Sequence, residues 1–205
     1  MKKNNYHHEN LREHIIEEAL KQIKAKDVSK LSIREISKKL GVSHNAPYKH
    51  FKSKDDLLCA LIKKGYAEVT QNFADIVEKH KDNYVDTMTE LGKMYIKFNT
   101  EKYEYTKIIA AFDYQNSKYK DEVEEVFLKA YSHHSATLLK GQQAGVFIDE
   151  DPRYIAFITR AFVHGIVALM MNAEEQIDFS FSMFWMAAKN KKPTKKEIET
   201  LSIIQ

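Results

Sequence analysis

Cysteine, proline, glycine and long apolar runs are all scarce in this chain. A single cysteine, Cys59, stands among 205 residues, which excludes an internal disulfide and fits a reducing compartment. Redox sensing needs a low-pKa thiol and a partner; neither is evident, so Cys59 reads as a small buried side chain. Proline occurs 3 times and glycine 6 times, while Leu, Ile, Ala, Lys and Glu fill long stretches. That balance points to an all-helical chain. No uninterrupted run of about 18 apolar residues occurs, so no membrane span is expected. No apolar segment follows the opening residues Met1–Glu9, so no signal peptide is expected and the protein is expected in the cytoplasm. Histidine occurs 9 times, but there is no His-Glu-x-x-His and no paired cysteine. His133 and His134 are adjacent, and neighbours on a helix point about 100° apart, a poor chelating geometry. Neither a Gly-x-Ser-x-Gly elbow nor a phosphate-binding glycine loop is present. No enzyme activity, metal site or cofactor is therefore expected.

What is present is concentrated between Leu31 and Leu58, LSIREISKKLGVSHNAPYKHFKSKDDLL. Ser32 reads as an N-cap, with Glu35 placed to return a bond to its amide and Leu31 and Ile36 as a hydrophobic staple. Ile33, Ile36 and Leu40 share a helical face. Gly41 follows, where a positive φ ends a helix at least cost. Ser43 then predicts a second cap and a second helix from about His44 to His50, with Pro47 in its first turn. Helix, tight turn and short helix make a helix-turn-helix, whose second helix enters the DNA major groove. His44, Asn45 and Lys49 are assigned to base edges; Asn pairs with adenine and Lys donates to guanine. Arg34, Tyr48, Lys52 and Lys54 are assigned to phosphates, as is His50, which could alternatively bond within the head. Leu31, Ile36, Leu40, Val42, Phe51 and Leu57 are expected core.

Charge supports this. Residues 1–54 hold 13 Lys and Arg against 6 Asp and Glu, whereas the remaining 151 residues hold 19 against 23. A basic head on a mildly acidic body suits a partner made of phosphates. The motif elements Arg34-Glu35-Ile36, Gly41-Val42-Ser43, Tyr48-Lys49-His50-Phe51, Lys54 and Leu57-Leu58 resemble the DNA-binding domain of the tetracycline-repressor (TetR/AcrR) family of bacterial transcriptional regulators. Ser37 stands where that family usually has Ala. Ser43-His44-Asn45-Ala46-Pro47-Tyr48 and His164-Gly165 resemble the subgroup named for a Trp-His-Gly motif, although Phe162 is the nearest aromatic to the Trp position. The resemblance implies a regulator of double-stranded palindromic DNA, a homodimer built on the last two long helices, and an inducer pocket in the body.

In chain order, helices are predicted over about 6–25, 54–80, 84–99, 105–114, 120–144, 152–172 and 178–189, with a basic tail beyond. Tyr6, His7 and His8 at the start could reach a phosphate. The fold class is all-α: a three-helix head, residues 1–53, and a helical regulatory and dimerisation domain, residues 54–205. Gly65, inside a helix, predicts close packing. Gly165 predicts the approach of another backbone, and His164 a hydrogen bond within the body. The helices beginning near Tyr154 and Phe179 carry more apolar surface than one core needs, so Phe162, Ile166, Met170, Phe181, Phe184 and Trp185 are candidates for the dimer interface. Tyr95, Phe98, Phe112, Tyr131, His134 and His164 are candidates for an apolar pocket with polar handles. The effector's identity is not encoded legibly. The alternative is a DNA-binding scaffold whose body binds a protein and no small molecule.

Overall fold

The computed structural model describes residues 10–81 and 83–172. Seven α-helices lie within them: α1 Leu11–Ala25, α2 Ile33–Leu40, α3 Lys54–His80, α4 Tyr84–Glu101, α5 Tyr103–Ala111, α6 Lys120–Gln143 and α7 Pro152–Asn172. Two 3-10 turns, Val28–Lys30 and Pro47–Lys49, flank α2. The all-α expectation holds, and α3, α4, α6 and α7 start and end within two residues of the predicted positions. The predicted helix 178–189, the basic tail, Tyr6, His7 and His8 lie outside the described residues.

The chain forms two compact units. One takes the described residues up to Ala67 together with Lys102–Phe127; the other takes Glu68–Glu101 together with the described residues from Leu128. In the first, α1 packs against α2 and α5. Its core is Ile15, Ile16, Ala19, Ile23, Ile36, Phe51, Leu57 and Leu61, all nearly inaccessible. Leu31 is buried as the staple predicts, whereas Leu40 and Val42 are only half-buried. Lys107 on α5 donates to the Ile23 carbonyl at 3.4 Å, and Ser117 donates to Asp55 at 2.7 Å. Thus α5 shares a compact unit with the head. The Ser32 hydroxyl accepts from Glu35 N–H at 3.3 Å, as expected of a cap. The return bond of the capping box does not form. Gln22, buried on α1, takes the Ser32 amide at 3.2 Å, and Glu35 turns to Lys26 at 3.3 Å. Ser53 caps α3 through Asp56 N–H at 3.1 Å, while the Asp56 carboxylate accepts from Lys52 N–H at 2.8 Å. Cys59 is buried, and burial, then the neighbouring Glu122, push its thiol up to about 11.

Helix α5 stops at Ala111, short of the predicted Tyr114. Asp113 accepts from the amides of Gln115 and Asn116, both at 3.1 Å, so a local Asx turn outcompetes the next helical turn.

In the second unit α7 packs on α4. Gly145 ends α6 at φ +68°, and Val146 N–H reaches back to the Gly141 carbonyl at 2.8 Å. This folds fully buried Phe147 onto Gly141. Helix α7 corrects two expectations. Pro152–Met170 is long and apolar enough, by length and composition, to cross a bilayer, with mean hydropathy 1.3. Arg153 and Arg160 interrupt the run of apolar residues without removing that average. Of that window, 17% is buried among the described residues. Gly165 has open space around it, with nothing within 4 Å of a Cβ placed there, so no backbone of the described residues approaches it.

Gly65 fulfils its expectation. A Cβ there would lie 2.7 Å from the Tyr105 ring, itself buried. Gly65→Ala should therefore destabilise by about 1–3 kcal/mol despite the gain in helix propensity. Urea unfolding checks this, and pairing it with Tyr105→Leu should recover most of the loss.

Candidate nucleic-acid interface and body cavity

The head builds an exposed polar edge from a strained turn and two anchors. Gly41 sits at φ +67° with its amide on Lys38 and Val42 N–H on the Ser37 carbonyl. Ser37 is buried and its hydroxyl donates to the Ile33 carbonyl at 3.0 Å, so the polar residue at this core position is satisfied. The predicted second helix is not an α-helix: residues 44–46 form a turn and Pro47–Lys49 a 3-10 turn. Proline has no N–H to give the Ser43 carbonyl, so Ala46 N–H takes it at 3.0 Å, and Lys49 and His50 continue the tighter spacing. Pro47 and Phe51 are buried, pinning both ends of the segment, and Arg12 lies over the Phe51 ring at 5.1 Å.

Around those anchors His44, Asn45, Lys49 and His50 are exposed, and Tyr48 is 44% exposed with its ring 5.9 Å from His44. Arg34 and Lys52 are exposed as well. Several other basic residues of the head are committed: Lys26 to Glu35, Lys39 to Glu18 and Lys64 to Glu13. Lys54 donates to the Ser29 carbonyl at 2.9 Å and keeps its charge and two further donors. Arg34, Lys49 and Lys52 make no ion pair with a described residue, nor does Lys38, which the sequence reading passed over in the last turn of α2. Lys49 lies on the segment that carries His44 and Asn45, and Lys52 stands two residues beyond His50. Chemically this edge offers donors and acceptors for base edges beside positive charge for phosphates.

The second unit contains a small cavity of about 30 Å³. Its walls come from α3 (Phe73), α4 (Met88, Leu91, Gly92, Tyr95), α6 (Tyr131, His134) and α7 (Ala156, Thr159, Arg160, Phe162, Val163). Of the six pocket candidates, Tyr95, Tyr131 and His134 face it. His164 stands one bond behind, with a ring nitrogen 3.2 Å from the Tyr95 hydroxyl. Phe98 is buried outside the wall, and Phe112 belongs to the other compact unit, beside Tyr114. Phe162, assigned to the dimer interface, is half-buried and lines the cavity, and Ile166 is buried. Met170 is half-buried, and Phe181, Phe184 and Trp185 lie outside the described residues. The exposed stripe of α7 is Tyr154, Phe157, Ile158 and Leu169. The wall residues missed in the sequence were findable: Met88, Leu91 and Gly92 share a helical face with the candidate Tyr95, and Ala156, Thr159, Arg160 and Val163 share another.

The cavity wall is largely apolar, with the cation Arg160 among its residues. Burial lowers the His134 imidazole to about 4, so it is neutral near pH 7. Burial, then Arg160, lowers His164 too, and burial raises the Tyr131 hydroxyl. A buried histidine with a depressed pKa withholds its proton in the folded state while the unfolded chain accepts one. Stability is therefore full above the unfolded pKa near 6.5 and falls as pH drops towards about 4, by up to about 3 kcal/mol from His134. His134→Gln should flatten the stability–pH curve over that window, measured by urea unfolding at pH 7.5, 6 and 5.

Comparison with known proteins locates these features. The model of bacterial regulatory proteins of the tetR family matches residues 15–61. No protein of curated function matches the sequence. A protein of unknown function from Rhodococcus sp. RHA1 superposes with a TM-score of 0.78 at 24% identity, over 92% of this chain and 100% of its own. HlyIIR, a hemolysin II transcriptional regulator, gives 0.65 at 20% identity, over 90% and 99%. The transcriptional regulator FadR from Bacillus subtilis, solved with stearoyl-CoA, gives 0.69 at 18% identity, over 80% and 89%. Residues 15–61 are thus an N-terminal helix-turn-helix domain of the tetR family of bacterial regulatory proteins, carried in a chain that shares the all-α fold of HlyIIR and FadR.

Proposed function

We propose that this chain is a sequence-specific DNA-binding transcriptional regulator. It acts as a cytoplasmic homodimeric repressor without enzymatic activity, and a small molecule bound in the body relieves its hold on a palindromic operator. The observation that carries this reading is the set of exposed side chains His44, Asn45, Tyr48, Lys49 and His50 on a segment anchored by buried Pro47 and Phe51. His44, Asn45 and Lys49 read bases; Arg34, Tyr48, His50, Lys52 and Lys54 hold phosphates. Functionally the head is residues 1–53 and the regulatory domain 54–205, of the Trp-His-Gly type on the strength of His164-Gly165. Dimerisation uses the apolar stripe of α7, Phe157, Ile158 and Leu169, which the described residues leave exposed. Two heads then meet half-sites about 34–36 Å apart. The ligand acts by population shift, favouring a dimer whose heads no longer fit successive grooves. The effector is apolar, in keeping with the cavity walls; FadR, of the same fold, was solved with an acyl-CoA. The exposed stripe of α7 also leaves room for the alternative, a scaffold whose body binds another protein; an operator affinity insensitive to every bound ligand would select it.

Selection of the protein against random duplexes should yield a palindrome. On that operator, Asn45→Ala should lose discrimination at one base pair, about 1–3 kcal/mol. Lys52→Ala should weaken all sequences alike and reduce the log–log salt slope by roughly one unit. If both variants weaken every sequence equally, the division between reading and positioning residues fails. Leu169→Glu should convert the dimer to a folded monomer in sedimentation, with loss of operator affinity; a dimer that persists would move the interface elsewhere.

A further inference from the structure

The cavity in the body is nearly all hydrocarbon, so its few polar atoms decide what it accepts. Thr159 settles the state of one of them. Its hydroxyl oxygen lies 2.7 Å from the Ile155 carbonyl and 3.0 Å from that of Ala156. Two acceptor oxygens do not approach that closely without a proton between them, so the single hydroxyl proton of Thr159 is committed to its own helix. The same oxygen is 3.2 Å from His134 Nε2. With its proton spent, Thr159 can only accept there, so His134 carries its proton on Nε2. Nδ1 is left with a lone pair. That atom is sealed from solvent and has no hydrogen-bond partner. A buried imidazole acceptor left unsatisfied costs the desolvation of that lone pair. Arg160 places its guanidinium over the exposed ring of Phe157, 5.8 Å from its centre, so that face of the charge lies against an exposed side chain.

We infer that the cavity is a site for a neutral apolar molecule bearing one hydrogen-bond donor, a phenol or alcohol hydroxyl, which donates to Nδ1 of His134. This rests on the ligand-binding reading of the body and sharpens it: the ligand is set by a donor and not by a carboxylate. The hydroxyl satisfies the orphan nitrogen, and the hydrocarbon part sits among Phe73, Leu91 and Val163. An anionic carboxylate has no proton to give and would face an acceptor. A cavity of about 30 Å³ is smaller than a ring, so the wall must open to admit one and to uncover the sealed Nδ1, and small probes are the right ones.

The test uses the full-length protein at pH 7.5, titrated calorimetrically with phenol, with toluene (the same shape without the donor) and with benzoate. The phenol-to-toluene affinity ratio should be about tenfold higher for the wild type than for His134→Leu. Thr159→Val, which frees the imidazole to choose its tautomer, should lower the ratio part of the way and guards against a His134 variant that does not fold. A ratio unchanged by both variants overturns the inference while leaving an apolar pocket in place. Benzoate binding more tightly than phenol overturns it in favour of an anion site at Arg160. Binding of none of the three overturns it together with the pocket, whereas recognition of DNA by the head, measured separately by duplex selection, stands or falls on its own.

Discussion

The geometry of the head depends on what Gln22 does to the start of α2. Its side-chain carbonyl, buried on α1, accepts the Ser32 amide, while the Ser32 hydroxyl accepts from the first turn of the helix it caps. One residue is thus tied at once to its own helix and to the neighbouring one. Everything downstream inherits that orientation: the left-handed Gly41, the Ser43 carbonyl and the short segment pinned by Pro47. A cap bonded only within its helix, as the Ser-x-x-Glu pattern suggests, would set where α2 starts but not how it lies on α1.

That difference marks where sequence reading reaches its limit. The periodic apolar stripes of α3, α4, α6 and α7 and the stops at Gly41 and Gly145 translate into elements almost residue for residue, because each signal is local. The return arm of the capping box fails because a competitor ten residues upstream outbids Glu35. The second helix of the motif fails for a local reason: Pro47 removes the one amide that an α-helical turn would need. Asp113 shortens α5 by the same kind of competition between side chain and backbone. In the body, aromaticity alone cannot separate Tyr95 and Tyr131, which face the cavity, from Phe98 and Phe112, which do not. Phe162 and Ile166 show the same limit on α7. A helix apolar nearly all round does not announce which face is inside, and these two turn inward while Phe157 and Leu169 stay exposed.

The body handles polarity by chaining it. Tyr131 stands edge-on to Phe73 at 6.4 Å and tilted to Tyr95 at 6.3 Å, and the Tyr95 hydroxyl ends on His164. Each hydroxyl or imidazole in the series is partly satisfied by the next, which lets titratable groups sit in an apolar wall without ionising. His134 stands outside this chain, held instead through Thr159. Its second nitrogen is consequently the point where the wall is chemically unfinished.

The segment His44–Phe51 separates two jobs along eight residues. Pro47 and Phe51 point inward and hold the backbone; His44, Asn45, Tyr48, Lys49 and His50 point outward and touch little else. Exchanges among the outward residues leave the fold's stability nearly unchanged, and exchanges at the inward ones leave the displayed chemistry unchanged. On the proposed DNA-reading role, the address of such a head can therefore drift, one side chain at a time, through intermediates that all remain folded.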